Sequence, residues 1–353
     1  MNATERIQVL QQFDSLRAVS WIIGILALIA NISVIIWMVC YMYNPLRWFS
    51  QRNPRNITNN PYLLIIFNLA IADLLGALYL IILAISDATF KINGDFQTPN
   101  GTYINNWIVS PTCFLERILS QVSLLMSIFI TFFITVSRFI QVVCPYSGLE
   151  VTIKKSRIAL LSLWIISFTI AIVGAMESSH VSLRKQDHLS ILGFLCQLES
   201  LETPVIIGIV YSELLLGIIG YVGTIILYLI IACKLKKTRS SINSINRSKA
   251  ESKIHLIIAW IVVSNVITWV PITLLTILEG LIETFSSDQH EITPLLVLLL
   301  YLNTAVNPIV YLVVGTHTIL KRHKKVDTVV QNLSCKSSER KNNHDLLVVE
   351  FSN

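Results

Sequence analysis

Long apolar runs broken by short polar stretches set the pattern of this chain. Seven runs, near residues 19–43, 61–86, 113–143, 158–176, 204–233, 254–281 and 293–315, each predict one spanning helix. A helix rises about 1.5 Å per residue, so about 20 residues cross a hydrocarbon core roughly 30 Å thick. No β-barrel alternation competes with them. The fourth run is the shortest, and the third is long enough to need a tilt. The pattern predicts an all-α membrane protein, a seven-transmembrane helix bundle over 19–315. A short N-terminal segment (1–18) precedes it and a tail (316–353) follows. The tail begins near "LVVGTHTILKRHKK", which suits a short amphipathic cytoplasmic helix lying on the membrane after helix 7.

Composition agrees. The chain is 54% hydrophobic and 14% charged, where a soluble domain is about a quarter charged. The first 18 residues are polar and carry no cleavable signal peptide, so the first helix is expected to serve as an uncleaved anchor. Lys and Arg number five in the N-terminus and even-numbered loops, against twenty in the odd-numbered loops and tail. That asymmetry places the N-terminus outside and the tail in the cytoplasm of a multi-pass plasma-membrane protein. The net charge of +6 then belongs to loops facing anionic lipid and a protein partner, not nucleic acid.

This topology sorts the six cysteines. Cys40, Cys144 and Cys233 fall at cytoplasmic helix ends and Cys335 in the tail, where it is the palmitoylation candidate. Cys113 and Cys196 face the oxidising side and are the expected disulfide. Asn2 and Asn100 lie in outward-facing glycosylation sequons.

Polar residues inside the apolar runs carry the chemistry. Asp73 lies in "NLAIADLL", at a depth where an acid costs about 3 kcal/mol, so it must face the bundle and meet polar groups. Asn303 and Asn307 project from one face of the seventh run, and Ser127 lies in the third. Two readings stand: a pocket for sodium built from a carboxylate, a hydroxyl and amide oxygens, or a structural cluster bridged by water. Pro308 and Pro271 each kink a spanning helix and free a carbonyl that a neighbour must satisfy. Arg138 lies 25 residues after Cys113, about 37 Å along a helix, which brings it to the cytoplasmic face. There it either snorkels to water or pairs with Glu251 at the foot of helix 6.

Taken in order, "NLAIAD", Arg138 with Pro145 seven residues on, Trp164, "WVP" and "NPIVY" resemble the rhodopsin-like (class A) G-protein-coupled receptors over roughly residues 20–325. Asn31 with Val34 fits the helix 1 signature, and Tyr228 the helix 5 tyrosine. The resemblance favours the disulfide and an allosteric sodium ion, with no cofactor otherwise required. It implies that Arg138 restrains the resting receptor and then contacts a heterotrimeric G protein. It also implies that Trp269, Pro271, Asn307, Pro308 and Tyr311 relay ligand binding to an outward movement of helix 6. Several positions depart from the family pattern. Ser137 stands where an acid is usual, Phe139 replaces a tyrosine, Gly220 a proline, Asn265 a phenylalanine and Thr268 a cysteine. Without the acid, Glu251 is left to restrain Arg138, and basal activity is expected to be raised. "NLAIADLLGALYLIILAISD" and "GTYINNWIVSPTC" look like the transmembrane region of leucine-rich-repeat hormone receptors of the glycoprotein-hormone and relaxin type. The given sequence has no leucine-rich repeat, so it is expected to be either a relative without that ectodomain or a truncated gene model.

The expected ligand follows from charge. Ser120 stands where amine receptors resembling this family carry an aspartate, and helix 7 has no lysine for a retinal Schiff base. The outer rim is acidic, which suits steering of a cationic peptide or protein hormone, though ordinary solvated loop charge gives the same composition. Asp87, Glu116, Arg117, Ser120, Glu213 and Glu279 are the pocket candidates. Ser334, Ser337 and Ser338 are candidate phosphorylation sites for arrestin recruitment. A transporter or channel built around Asp73 is the competing class. The chain carries no HExxH, GxSxG or phosphate-loop motif of an enzyme.

Overall fold

In a computed structural model, the described residues are 14–43, 61–89, 107–149, 151–184, 195–198, 203–241 and 297–312, with 260, 263–265, 267–271 and 274 between the last two. Helix α1 is Asp14–Tyr43, α2 Pro61–Thr89, α3 Pro111–Val143, α4 Ile153–Arg184 and α5 Pro204–Ser241. The described residues between 260 and 274 are helical and belong to α6. Helix α7 is Val297–Leu312. The chain divides after Ile309 into two units, and Val310, Tyr311 and Leu312 are the described residues of the second. Helices α1 to α5 are each long and apolar enough to cross a membrane.

The starts of these helices are written locally. Ser110 caps α3 by accepting the Cys113 N–H at 3.1 Å, with Pro111 in the first turn, where its missing N–H costs nothing. Thr203 does the same for α5, accepting from Ile206 N–H at 3.3 Å ahead of Pro204. Two expected boundaries are corrected. The fourth run does not give the shortest helix: α4 has 32 residues, because Lys154 and Lys155 at one end and "SSHVSLR" at the other continue the helix beyond the apolar window. Helix α1 begins at Asp14, inside the segment assigned to the polar N-terminus. Arg17 on that extra turn pairs with Asp87 on α2 at 2.5 Å, which ties the two helices at one end.

Helix α3 is the hub and packs on α2, α4 and α5. Two thirds of its apolar window (67%) is buried, against 22% for α5. The rest of α5 presents Leu215, Ile219, Val222, Ile226 and Leu229 outward, a face suited to lipid rather than water. Glycine allows the closest approaches. A Cβ at Gly76 would lie 2.5 Å from Ser123 Oγ and 2.9 Å from Thr304 Cγ2, so α2 meets α3 and α7 there without a side chain of its own. Gly220, where the related pattern has proline, would place a Cβ 3.0 Å from Ile128 Cγ2.

Candidate functional site

Among the described residues, three polar clusters lie within this apolar bundle. The first is at the end marked by the Cys113–Cys196 disulfide, whose S–S distance is 2.00 Å across 83 residues of chain. Cys196 adopts φ 50°, a left-handed conformation that costs a non-glycine residue roughly 1–2 kcal/mol. Hydrogen bonds hold its neighbours in place: Tyr79 Oη donates to the Leu195 carbonyl at 2.8 Å, and Gln197 Nε2 donates to Tyr79 Oη at 2.9 Å and Tyr301 Oη at 3.4 Å. The rings of Tyr79 and Tyr301 stack obliquely with centroids 4.8 Å apart.

Acids line this cluster. Gln121 on α3 donates to the Glu213 carboxylate on α5. Glu116 is 0% exposed, and neither of its carboxyl oxygens has a hydrogen-bond partner among the described residues. Tyr301 lies within electrostatic reach of both carboxyls and within hydrogen-bonding reach of Ser120. Arg117, fully buried, donates to Ser179 Oγ on α4 at 3.0 Å. Four of the expected pocket residues, Glu116, Arg117, Ser120 and Glu213, therefore gather around α3. Asp87 instead engages Arg17, and Glu279 lies outside the described residues.

The second cluster is at mid-bundle. Asp73 is 0% exposed and accepts Asn307 Nδ2 at 3.0 Å through Oδ2. Asn303 Nδ2 donates to Ser127 Oγ at 3.1 Å and to Asn265 Oδ1 at 2.8 Å, while its Oδ1 accepts Ser264 Oγ at 3.2 Å. The four residues expected to form one pocket are thus joined as two pairs, Asp73 with Asn307 and Ser127 with Asn303. Tyr221 links α5 to this group through its hydroxyl, 3.3 Å from Asn265 Oδ1, and its ring lies 5.4 Å from that of Trp269. Pro271 is exposed, Pro308 buried, and Tyr228 half-buried on α5. Trp164 Nε1 donates to Asn68 Oδ1 at 2.9 Å and joins α4 to α2.

The third cluster surrounds Arg138 at the opposite end of α3. Its guanidinium carbon sits 3.5 Å from the centroid of the Tyr62 ring on α2, and its Nη1 lies 3.5 Å from Gln141 Oε1. Tyr62 Oη donates to the Ser137 carbonyl at 3.2 Å. Glu251, Asn2, Asn100, the tail helix and Cys335 all lie outside the described residues.

Sequence reasoning missed Tyr62, Tyr79, Gln121, Ser123, Gln197 and Tyr301. An aromatic in an apolar run carries no signal of its own. Gln121 and Ser123 are polar at α3 positions now seen to be buried, and that would have found them.

The hub helix, its disulfide to the segment before α5, the buried Asp73 and the proline within α7 fit a seven-helix receptor of the rhodopsin type. The family described as 7 transmembrane receptor (rhodopsin family) matches residues 48–311, and the chain belongs to it. It is 26% identical over 302 residues to the G-protein coupled receptor GRL101 of Lymnaea stagnalis, covering 84% of this chain and 24% of that protein. Relaxin receptor 2 of Homo sapiens is 23% identical over 292 residues, covering 80% of this chain and 37% of that receptor. Somatostatin receptor type 1 of Rattus norvegicus is 24% identical over 241 residues, 66% of this chain and 59% of that receptor. The chain thus spans between about a quarter and three fifths of these relatives. The relaxin receptors among them agree with the branch that helices 2 and 3 resemble.

Proposed function

We propose that the chain transmits binding of a peptide or protein hormone at its disulfide end to a heterotrimeric G protein at its Arg138 end. The observation that carries this reading is the placement of residues along α7. Tyr301 belongs to the acidic cluster under the disulfide, and Asn303 and Asn307, two and six residues on, hold the mid-bundle cluster. A ligand that shifts Tyr301 therefore acts on the same short stretch of chain that positions Asp73 and Asn265. Trp269 stands beside this group on α6, two residues before Pro271, and outward movement of that helix is the output. The charge distribution supports a disulfide end facing outward and an Arg138 end in the cytoplasm of a plasma-membrane protein. Glu116 and Glu213 suit a basic group on the ligand, and relatives named for relaxin and somatostatin favour a peptide or protein. Arrestin engagement of a phosphorylated tail completes the proposal.

A sodium ion at Asp73 is part of the same reading. Asp73 Oδ1, Asn307 Oδ1 and Ser123 Oγ are buried oxygens with no hydrogen-bond partner among the described residues. A lone buried carboxylate needs a counter-charge, and oxygen donors without partners suit a hard monovalent cation. Asp73, Ser123 and Asn307 would hold it, with Ser127 and Asn303 beside them.

The deciding experiment is a panel of G-protein activation assays in cells, without ligand and with peptide libraries, run beside a sodium-dependent uptake assay. Ligand-responsive activation supports the receptor. Uptake without activation by any G protein would overturn it in favour of transport.

A further inference from the structure

A permanently charged guanidinium in a half-buried site needs a partner, and the usual neighbouring acid is absent here because Ser137 precedes Arg138. The structure supplies an aromatic face instead. Tyr62, in the first turn of α2, makes two contacts with successive residues of α3: its ring lies 3.5 Å under the Arg138 guanidinium, and its hydroxyl donates to the Ser137 carbonyl at 3.2 Å. The hydrogen bond fixes the ring, and the fixed ring receives the cation. The other described contact of Arg138, to Gln141 one turn on, is at the 3.5 Å limit and exposed.

We propose that Tyr62 is the positioning residue that holds Arg138 in the resting receptor, a cation–π clamp in place of the missing acid. The clamp joins α3 to α2, neither of which is the helix expected to swing. Movement of α6 therefore does not by itself break it. The guanidinium must slide off the ring, and an incoming G protein that offers carbonyl or carboxylate groups competes with the ring for it. This inference rests on the reading that the Arg138 end engages a G protein.

The test is ligand-independent signalling in cells at matched surface expression. Tyr62→Leu should raise it about threefold to tenfold, the range that loss of a partly desolvated cation–π contact implies. Tyr62→Phe, which keeps the ring and loses the hydroxyl, should raise it far less. Stepwise fluorination of a phenylalanine introduced at position 62 gives a readout that a merely structural role would not move. Each fluorine drains the ring face, so basal signalling should climb along the series while expression stays level. A flat series, or Tyr62→Phe signalling as strongly as Tyr62→Leu, would overturn the clamp. Signalling that falls with Arg138→Ala yet ignores every change at Tyr62 would sink the clamp alone. A chain silent in every G-protein pathway, whatever the variant, would sink the proposed function and the clamp with it.

Discussion

Asn31 on α1 donates a hydrogen bond of 2.9 Å to the Thr304 carbonyl on α7, the carbonyl that Pro308 deprives of its helical donor. A residue four positions after Thr304 would normally supply that N–H, and proline has none. The same amide also donates to its own helix at Ala27 O, 2.8 Å away, so both hydrogens are used and the side chain is locked. The α7 proline and the α1–α7 contact are thus one device.

A double-mutant cycle measures that device. Asn31→Ala should cost about 1–2 kcal/mol of stability by leaving the Thr304 carbonyl unpaired in an apolar setting. In a Pro308→Ala background, where residue 308 regains its N–H, the same change should cost clearly less. Thermal inactivation of the purified receptor in all four combinations reads the coupling. Equal costs in both backgrounds would mean that the Asn31 amide does not serve the proline.

Gly76 predicts a second, purely steric outcome. Its missing side chain leaves room for Ser123 and Thr304, and the space is already tight at 2.5 and 2.9 Å. Overpacking of this kind costs about 1–3 kcal/mol. Gly76→Ala should lower thermal stability, and Gly76→Val should lower it further. Ser123→Gly, which removes the nearer obstacle, should partly rescue Gly76→Ala. No rescue would indicate that α2 can shift to accept the methyl group.

The sequence made some of this legible and hid the rest for physical reasons. Asp73, Asn307, Cys113 and Cys196 stood out because an acid, an amide or a cysteine placed by topology is an anomaly that demands a partner. The structure pairs Asp73 with Asn307 and Cys113 with Cys196. Helix ends were harder: apolar windows report hydrocarbon thickness, whereas α4 runs on through lysines at one end and serines at the other. The contact of Arg138 with Tyr62 was not readable. The expectation was water or Glu251 at the same depth, which lies outside the described residues, and Tyr62 carries no charge to point to the ring it presents to Arg138. Tyr79 and Tyr301 were hidden in the same way, as aromatics among aliphatic residues whose hydroxyl partners come from other segments.

Sodium dependence tests the mid-bundle cluster. If Asp73 and its unpartnered oxygen neighbours hold the ion, raising sodium at constant ionic strength should lower basal signalling. Asp73→Asn removes the charge while keeping the shape and the capacity to pair with Asn307, so it should abolish that dependence. Ser123→Ala should weaken it. Sodium sensitivity that persists in Asp73→Asn would place the ion elsewhere or remove it from the account.

The final prediction concerns Ser137, which is 0% exposed and whose hydroxyl has no hydrogen-bond partner among the described residues. Its position is the one at which a carboxylate would complete a local pair with Arg138. Ser137→Asp places an acid beside a guanidinium already packed on Tyr62, and two opposite charges in a partly dry site attract strongly when each has a partner. The variant should therefore lower ligand-independent signalling below the parent and leave Arg138 harder to release. Glu251→Ala tests the alternative restraint from helix 6 and should raise basal signalling if that residue shares the load. The two changes separate the sources of restraint: a drop with Ser137→Asp that cancels the rise from Tyr62→Leu shows that acid and ring act on the same guanidinium. Basal activity indifferent to Ser137→Asp, at matched surface expression, would mean that Arg138 is not what limits the resting state.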